Sequence, residues 1–210
     1  GQVNNKGFEI SLNSTNVQVK DISWTSNFSI AHNRNKIVHL FGDYTTDENG
    51  TRKEVDDVAN EWFIGHSTDE IWNYKVVGIW QSDEKAEAAK YSREPGDFKL
   101  LDVNPDGYYT NADKVFQGHS QPTYRLSLRN DLHYRNWDLS IKMYSCLGQK
   151  AGNPHRKNDD SFYDRGTAYN VPYWTAENPN NTWARVRSYE SGFSVYEDNS
   201  FIRMDNVVLT

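Results

Sequence analysis

Leu132 to Leu147 reads LHYRNWDLSIKMYSCL, and from Trp137 onward it keeps a period of two. Trp137, Leu139, Ile141, Met143 and Leu147 fall on one side, and Asp138, Ser140, Lys142 and Tyr144 on the other. That period marks a strand with unlike faces. An apolar stripe of roughly ten residues is what a barrel strand turns to lipid, and equally what a sandwich strand turns to its core. Periodicity leaves both open. Tyr124 to Leu128 reads as the partner strand, with Asn130 and Asp131 starting a break and Tyr134 to Asn136 giving a polar turn.

Upstream, Phe8, Ile10 and Leu12 alternate with Glu9, Ser11 and Asn13, and Ile22, Trp24, Phe28 and Ile30 repeat on one face, so residues 7–40 read as two strands. The short polar link Gln18 to Asp21 suits a hairpin, and Thr45 to Glu54 reads as a solvent-facing turn. A second β block is expected over 62–80, where Trp72, Tyr74, Val76 and Trp80 keep period two. Ser82 as an N-cap, acidic Asp83 and Glu84, and the helix formers Ala86, Ala88 and Ala89 predict a short helix ending before Pro95 and Gly96. Residues 81–123 and 148–187 read as long loops and 200–210 as a final strand.

The composition excludes several classes. Aromatic residues make up 14% of the 210, with seven Trp and thirteen Tyr, which favours β structure. Acidic residues outnumber basic ones 29 to 23, spread along the chain, so no cationic face is expected to neutralise the phosphates of a nucleic acid. The longest apolar runs, such as Val76 to Trp80, fall far short of a membrane-spanning helix. A lone Cys146 permits no internal disulfide and no cysteine zinc site. There is no initiator Met and no signal peptide, and Gly1 reads as the remnant of a removed tag.

One loop has metal-ligand spacing. Leu101 to Asp113, LDVNPDGYYTNAD, sets Asp102, Asn104 and Asp106 at alternate positions, Gly107 directly after them, the Tyr108 carbonyl next, and Asp113 at the position that closes an EF-hand-type shell. Calcium is the expected ion. Pro105 and the short closing Asp depart from the pattern and imply modest affinity, and the same residues also make an ordinary Asx-rich turn. No Ser-His-Asp arrangement, phosphate loop or HExxH is present, and the histidines, His32, His39, His66, His119, His133 and His155, are scattered, so the chain is not expected to be an enzyme.

Eight blocks in order resemble the SusC/RagA-type, TonB-dependent outer-membrane transporters. They are NKGFEISLN (Asn5 to Asn13), DISWTSNFSIAHNRNKIV (Asp21 to Val38), EWFIG (Glu61 to Gly65), YKVVGIW (Tyr74 to Trp80), GDFKLLDVNPD (Gly96 to Asp106), NWDL (Asn136 to Leu139), YWTAENP (Tyr173 to Pro179) and SFIRMDNVVL (Ser200 to Leu209). The resemblance implies a mainly β fold: antiparallel strands from the late part of a 22-stranded outer-membrane barrel, with long extracellular loops and one short helix. It also implies that the family's signal peptide, plug and last strands lie outside these residues.

The parent would import oligosaccharides or peptides with TonB and a SusD-like surface lipoprotein lid, and this stretch would not transport alone. Residues 71–123 and 148–187 would be the loops that meet substrate and lid. There Tyr163, Tyr173, Trp174 and Trp183 are candidate platforms, because an aromatic ring offers an apolar face and, in Tyr and Trp, a polar edge. The alternative is a soluble, calcium-containing β-sandwich that binds carbohydrate. The two differ in where Leu139, Ile141 and Met143 go: into a closed core, or onto an outward band. On the barrel reading the exposed strand edges of the isolated chain are expected to pair with another copy or to be covered by the long loops.

Overall fold

Strand alternation and turn chemistry produce thirteen strands and one short helix among the described residues. The computed structural model describes residues 1–153, 156, 170–186 and 192–210. In chain order the elements are β1 (Gln2–Val19), β2 (Ile22–His39), β3 (Tyr44–Thr46), β4 (Arg52–Glu54), β5 (Glu70–Tyr74), β6 (Val76–Ile79), α1 (Lys85–Lys90), β7 (Phe98–Leu100), β8 (Lys114–His119), β9 (Tyr124–Tyr134), β10 (Trp137–Leu147), β11 (Lys150–Gly152), β12 (Tyr196–Asp198) and β13 (Phe201–Leu209). They fall into two units: 1–70 with 118–150 and 198–210, and 71–117 with 151–197.

The first unit is built on one antiparallel sheet in the order β1-β2-β9-β10-β13. Two-residue links, Lys20–Asp21 and Arg135–Asn136, join β1 to β2 and β9 to β10. At the other end of these strands the connections are long, 40–123 and 148–200. β9 does not break at Asn130 and Asp131. It runs through both because each finds a partner: Trp24 Nε1 and Ser26 Oγ donate to Asn130 Oδ1 at 3.1 and 2.6 Å, and Arg129 lies 2.9 Å from Asp131. The stretch 62–80 adds no strand to this sheet; β5 pairs with β8 and β6 with β7 in separate ribbons.

The second unit has its own core of Ile79, Phe98, Leu100, Trp174, Ala184, Phe193 and Val195. Gly96 sits at its tightest point, at φ +92°, where a Cβ would lie 2.6 Å from the Trp174 ring and 2.9 Å from Arg185 Cβ. Only glycine fits there without strain. The predicted helix forms over Lys85–Lys90 behind a 3-10 turn at Ser82–Glu84, but Ser82 caps neither: Gln81 caps the turn, its backbone N–H donating to Glu84 Oε2 at 3.0 Å, and Glu84 is the N-cap of the helix. No helix among the described residues is long and apolar enough to cross a membrane, which says nothing about strands.

Candidate functional site

The five-stranded sheet has two chemically opposite faces, and register makes each continuous. Leu12, Phe28, Leu128, Met143 and Met204 are lateral neighbours, as are Ile10, Ile30 and Leu126 on the next row. The opposite face carries Ser29 against Ser127 (Oγ–Oγ 2.7 Å), Arg129 with Asp131, and Lys142 with Asp205 at 2.8 Å. No described residue closes over the apolar side: Ile10 is 55% exposed, Leu12 60% and Met204 58%. A soluble sandwich would bury these residues, so that alternative fails. Leu139, Ile141 and Met143 lie within the uncovered band, flanked by Leu132, Leu128, Val207 and Leu209.

The height of the band fits a bilayer. β9 is 11 residues long and extends about 33 Å at roughly 3.3 Å per residue. A tilt of ~40° reduces this to about 25 Å along the normal, the height of the apolar band of an outer-membrane barrel. Aromatic residues bound it on the apolar face, with Trp24, Tyr134 and Trp137 at the short-turn end and Phe8, His32 and Tyr124 at the other.

The loop from Asp102 to Asp113 folds its oxygens mainly onto its own backbone. Asp113 is fully buried, accepting from Val103 N–H at 2.9 Å, Thr110 N–H at 2.8 Å and Thr110 Oγ1 at 3.2 Å. Burial alone would raise its pKa, but these donors outweigh it and hold the carboxyl below the usual range. Asp106 accepts from Tyr108 N–H and Asn104 Nδ2, both at 2.9 Å. Asp102 Oδ2 accepts from Tyr91 Oη at 2.9 Å and Gly107 N–H at 3.1 Å, and Gly107 turns at φ +84°. Asp102 Oδ1 is buried with no hydrogen-bond partner among the described residues. Among the described residues no three His, Cys, Asp or Glu side chains converge as a metal site.

The expected aromatic platforms part company. Trp174 is 9% exposed and belongs to the core, its Nε1 donating to Gln81 Oε1 at 2.9 Å, so its ring is not a surface. Tyr173 and Trp183 are half-buried in the loop that Trp174 anchors through its N–H to the Trp183 carbonyl. Tyr163 lies outside the described residues. Sequence reasoning missed a more exposed set in the first unit: Phe41 is 62% exposed, Trp62 50%, and Tyr44 stacks beneath Arg52 at 3.8 Å. Phe41 and Trp62 lie outside the strands and Tyr44 in a three-residue one, where periodicity carries no signal.

No family model matches the chain. It is similar over its whole length to TonB-dependent receptor P26 of Formosa agariphila, with 30% identity over 228 aligned residues, and over 99% of its length to P3 of the same organism, with 25% identity. It is also 23% identical, over its whole length, to TonB-dependent receptor SusC of Bacteroides thetaiotaomicron. It spans 22%, 21% and 20% of these three relatives. Two solved structures share its fold over 99% of the chain and 22% of theirs: the RagAB peptide transporter, with a TM-score of 0.65 at 19% identity, and the RagAB peptide importer in the "closed-closed" state, at 0.61 and 20%. The chain is a relative of the TonB-dependent receptors, SusC among them. In a receptor of this type the five-stranded sheet is a piece of barrel wall, with its apolar face toward lipid and its charged face toward the lumen. Short turns of such barrels face the periplasm and long connections the cell surface, and the two-residue turns here are Lys20–Asp21 and Arg135–Asn136.

Proposed function

We infer that this stretch helps to form an outer-membrane importer that takes up oligosaccharides or peptides, driven through TonB and working with a SusD-like surface lipoprotein. The observation that supports this most is the one-sided sheet, uncovered and apolar on one face and ion-paired on the other. The long connections at the surface end would meet substrate and lid. Tyr44, Trp62, Tyr173 and Trp183 are the rings suited to stack on sugar or on apolar peptide side chains. The outer edges of β1 and β13 would be completed by neighbouring strands of the same wall. The test is uptake by cells carrying the full-length receptor, given labelled oligosaccharides and peptides in turn. One class should enter, and deleting TonB should abolish its entry; uptake that survives the deletion sinks the reading.

A second reading is calcium at Asp102 to Asp113, favoured by the unpartnered Asp102 Oδ1. Asp102, Asn104, Asp106 and the Tyr108 carbonyl would hold the ion, and Asp113, occupied by three donors, would clasp the loop. Calcium contributes a hard positive charge that oxygen ligands satisfy. Thermal stability of the full-length receptor should rise with calcium and fall with chelator, and Asp102→Ala should remove the response. No calcium response in the wild type ends this reading.

A further inference from the structure

At the surface end of the apolar face, Phe8, His32 and Tyr124 form a row of rings, with centroids 5.5 and 5.0 Å apart. Aromatic rows of this kind sit at the level of lipid headgroups. One step beyond, register places Lys6 opposite Arg34 and Asn4 opposite Lys36. The two-residue period puts Lys6, Arg34 and Lys36 on the same face as Phe8 and His32, about 7 Å further from the hydrocarbon for Lys6 and Arg34. Like charges set directly opposite on paired strands repel.

Compensation is incomplete. Arg34 lies 3.6 Å from Asp69 Oδ2 and donates to Thr123 Oγ1. Asp69 is shared, with His119 Nδ1 3.4 Å away and Ser67 Oγ donating to it. Lys6 and Lys36 are exposed and have no acidic partner among the described residues. A chain of formal charge −6 thus gathers three cations at one point, immediately above an uncovered apolar strip of Phe8, Ile10 and Leu12.

We propose that Lys6 and Lys36, with Arg34 held between them, bind the phosphate of an outer-leaflet lipid headgroup. This rests on the membrane reading above. Directly opposed residues bring their Cβ atoms within about 5 Å and diagonal ones within about 8 Å, a triangle that long basic side chains can close on one phosphate. The strip beneath selects a lipid over a free anion, because acyl chains would cover Phe8, Ile10 and Leu12 while the phosphate sits among the cations. Basic clusters beside a membrane-spanning wall recognise anionic headgroups on the same terms.

The test uses the full-length receptor, purified in neutral detergent and titrated with phosphorylated lipid A, its dephosphorylated form and inorganic phosphate, with bound ligand counted by native mass spectrometry. The Lys6→Gln/Lys36→Gln variant should bind phosphorylated lipid A about tenfold more weakly than wild type, and Lys6→Arg/Lys36→Arg should bind it normally, which separates lost charge from lost folding. Dephosphorylated lipid should bind both weakly and alike. Equal affinity in the Gln variant, an equal loss for dephosphorylated lipid, or displacement by phosphate at matching concentration overturns the proposal. Insertion into phosphatidylcholine vesicles, scored by protease protection, reports on the membrane reading separately. A receptor that inserts without lipid preference loses only this proposal, and one that fails to insert loses both.

Discussion

Tyr91 donates its hydroxyl to Asp102 Oδ2 across 2.9 Å, and that bond ties a stack of rings to the Asp102 to Asp113 loop. Tyr91 lies 4.8 Å from Tyr109 in a stacked pair and 5.6 Å from Trp80, while the same Asp102 oxygen receives the Gly107 N–H at the turn. Donation to a carboxylate, with burial and nearby negative charge adding to it, pushes the Tyr91 hydroxyl up to about 12.

A phenol whose pKa is raised on folding stabilises the fold below its unfolded value near 10 and loses that contribution as pH rises toward 12. Alkaline difference spectroscopy of wild type against Tyr91→Phe should therefore assign the missing tyrosine to the last part of the titration. The substitution should cost about 1 kcal/mol, the net worth of one partly solvated hydrogen bond. A missing phase near the ordinary tyrosine value would mean that the bond does not form.

Asp97 and Arg185 bear on the same unit. Asp97 is nearly buried, Arg185 Nε reaches its Oδ1 at 2.7 Å, and Arg185 Nη1 reaches the exposed Glu94 at 2.8 Å. The backbone adds Arg185 N–H to the Gly96 carbonyl at 2.8 Å. Asp97→Asn should cost about 2–3 kcal/mol, below the full figure for breaking a buried pair because Glu94 remains. Arg185→Lys should be damaging too, since an ammonium cannot replace the guanidinium fork. Hydrogen exchange across 94–97 and 183–185 should rise in both variants; unchanged protection would make the pair dispensable.

The parts of this fold that were legible in sequence are those where one environment acts on alternate residues. Trp137, Leu139, Ile141 and Met143 announce a strand because lipid selects every second side chain. Asn130 misled because turn chemistry and a cross-strand hydrogen bond use the same amide, and only the register shows Trp24 and Ser26 donating to it. Tyr74 and Val76 alternate correctly, yet the ribbons that receive them depend on β8 and β7, which no local pattern names. Trp174 and Trp183 look alike in sequence, and what separates them is Gly96, whose missing Cβ lets the Trp174 ring enter the core. The order of Asp102, Asn104 and Asp106 was plain, whereas the direction of each oxygen depended on which backbone N–H lay nearest.

Glu54 supplies a pH test in the first unit. Its carboxylate sits 2.9 Å from His39 Nδ1 and accepts the N–H groups of Leu40 and Phe41, holding the end of β2 against β4. The bond with His39 is the chief reason its pKa lies below the ordinary value, with the backbone donors also outweighing partial burial. A depressed carboxyl contributes stability above its unfolded value, about 4.5, and loses it as pH falls through the folded one. Exchange protection at Leu40 and Phe41, corrected for intrinsic rates, should hold at neutral pH and decline below that value. Glu54→Gln should flatten the decline, and an unchanged profile would remove Glu54 from the clasp.

Leu128 and Ser127 are consecutive in β9 and face opposite ways. Leu128 lies between Phe28 and Met143, near the middle of the apolar band, and Ser127 lies between Ser29 and Tyr144, with its hydroxyl 2.7 Å from that of Ser29. An arginine on the lipid face at mid-depth costs about 2–4 kcal/mol, whereas lumen positions accept charge readily. Ser127→Arg should therefore cost only about 1 kcal/mol, for the lost Ser29 bond. Urea unfolding of the full-length receptor from vesicles should separate Leu128→Arg from Ser127→Arg by at least about 1 kcal/mol, with Leu128 the more sensitive. If Leu128→Arg were the milder change, the two faces of the wall would have to exchange roles, and the lysines beside Arg34 would then face the lumen instead of the lipid.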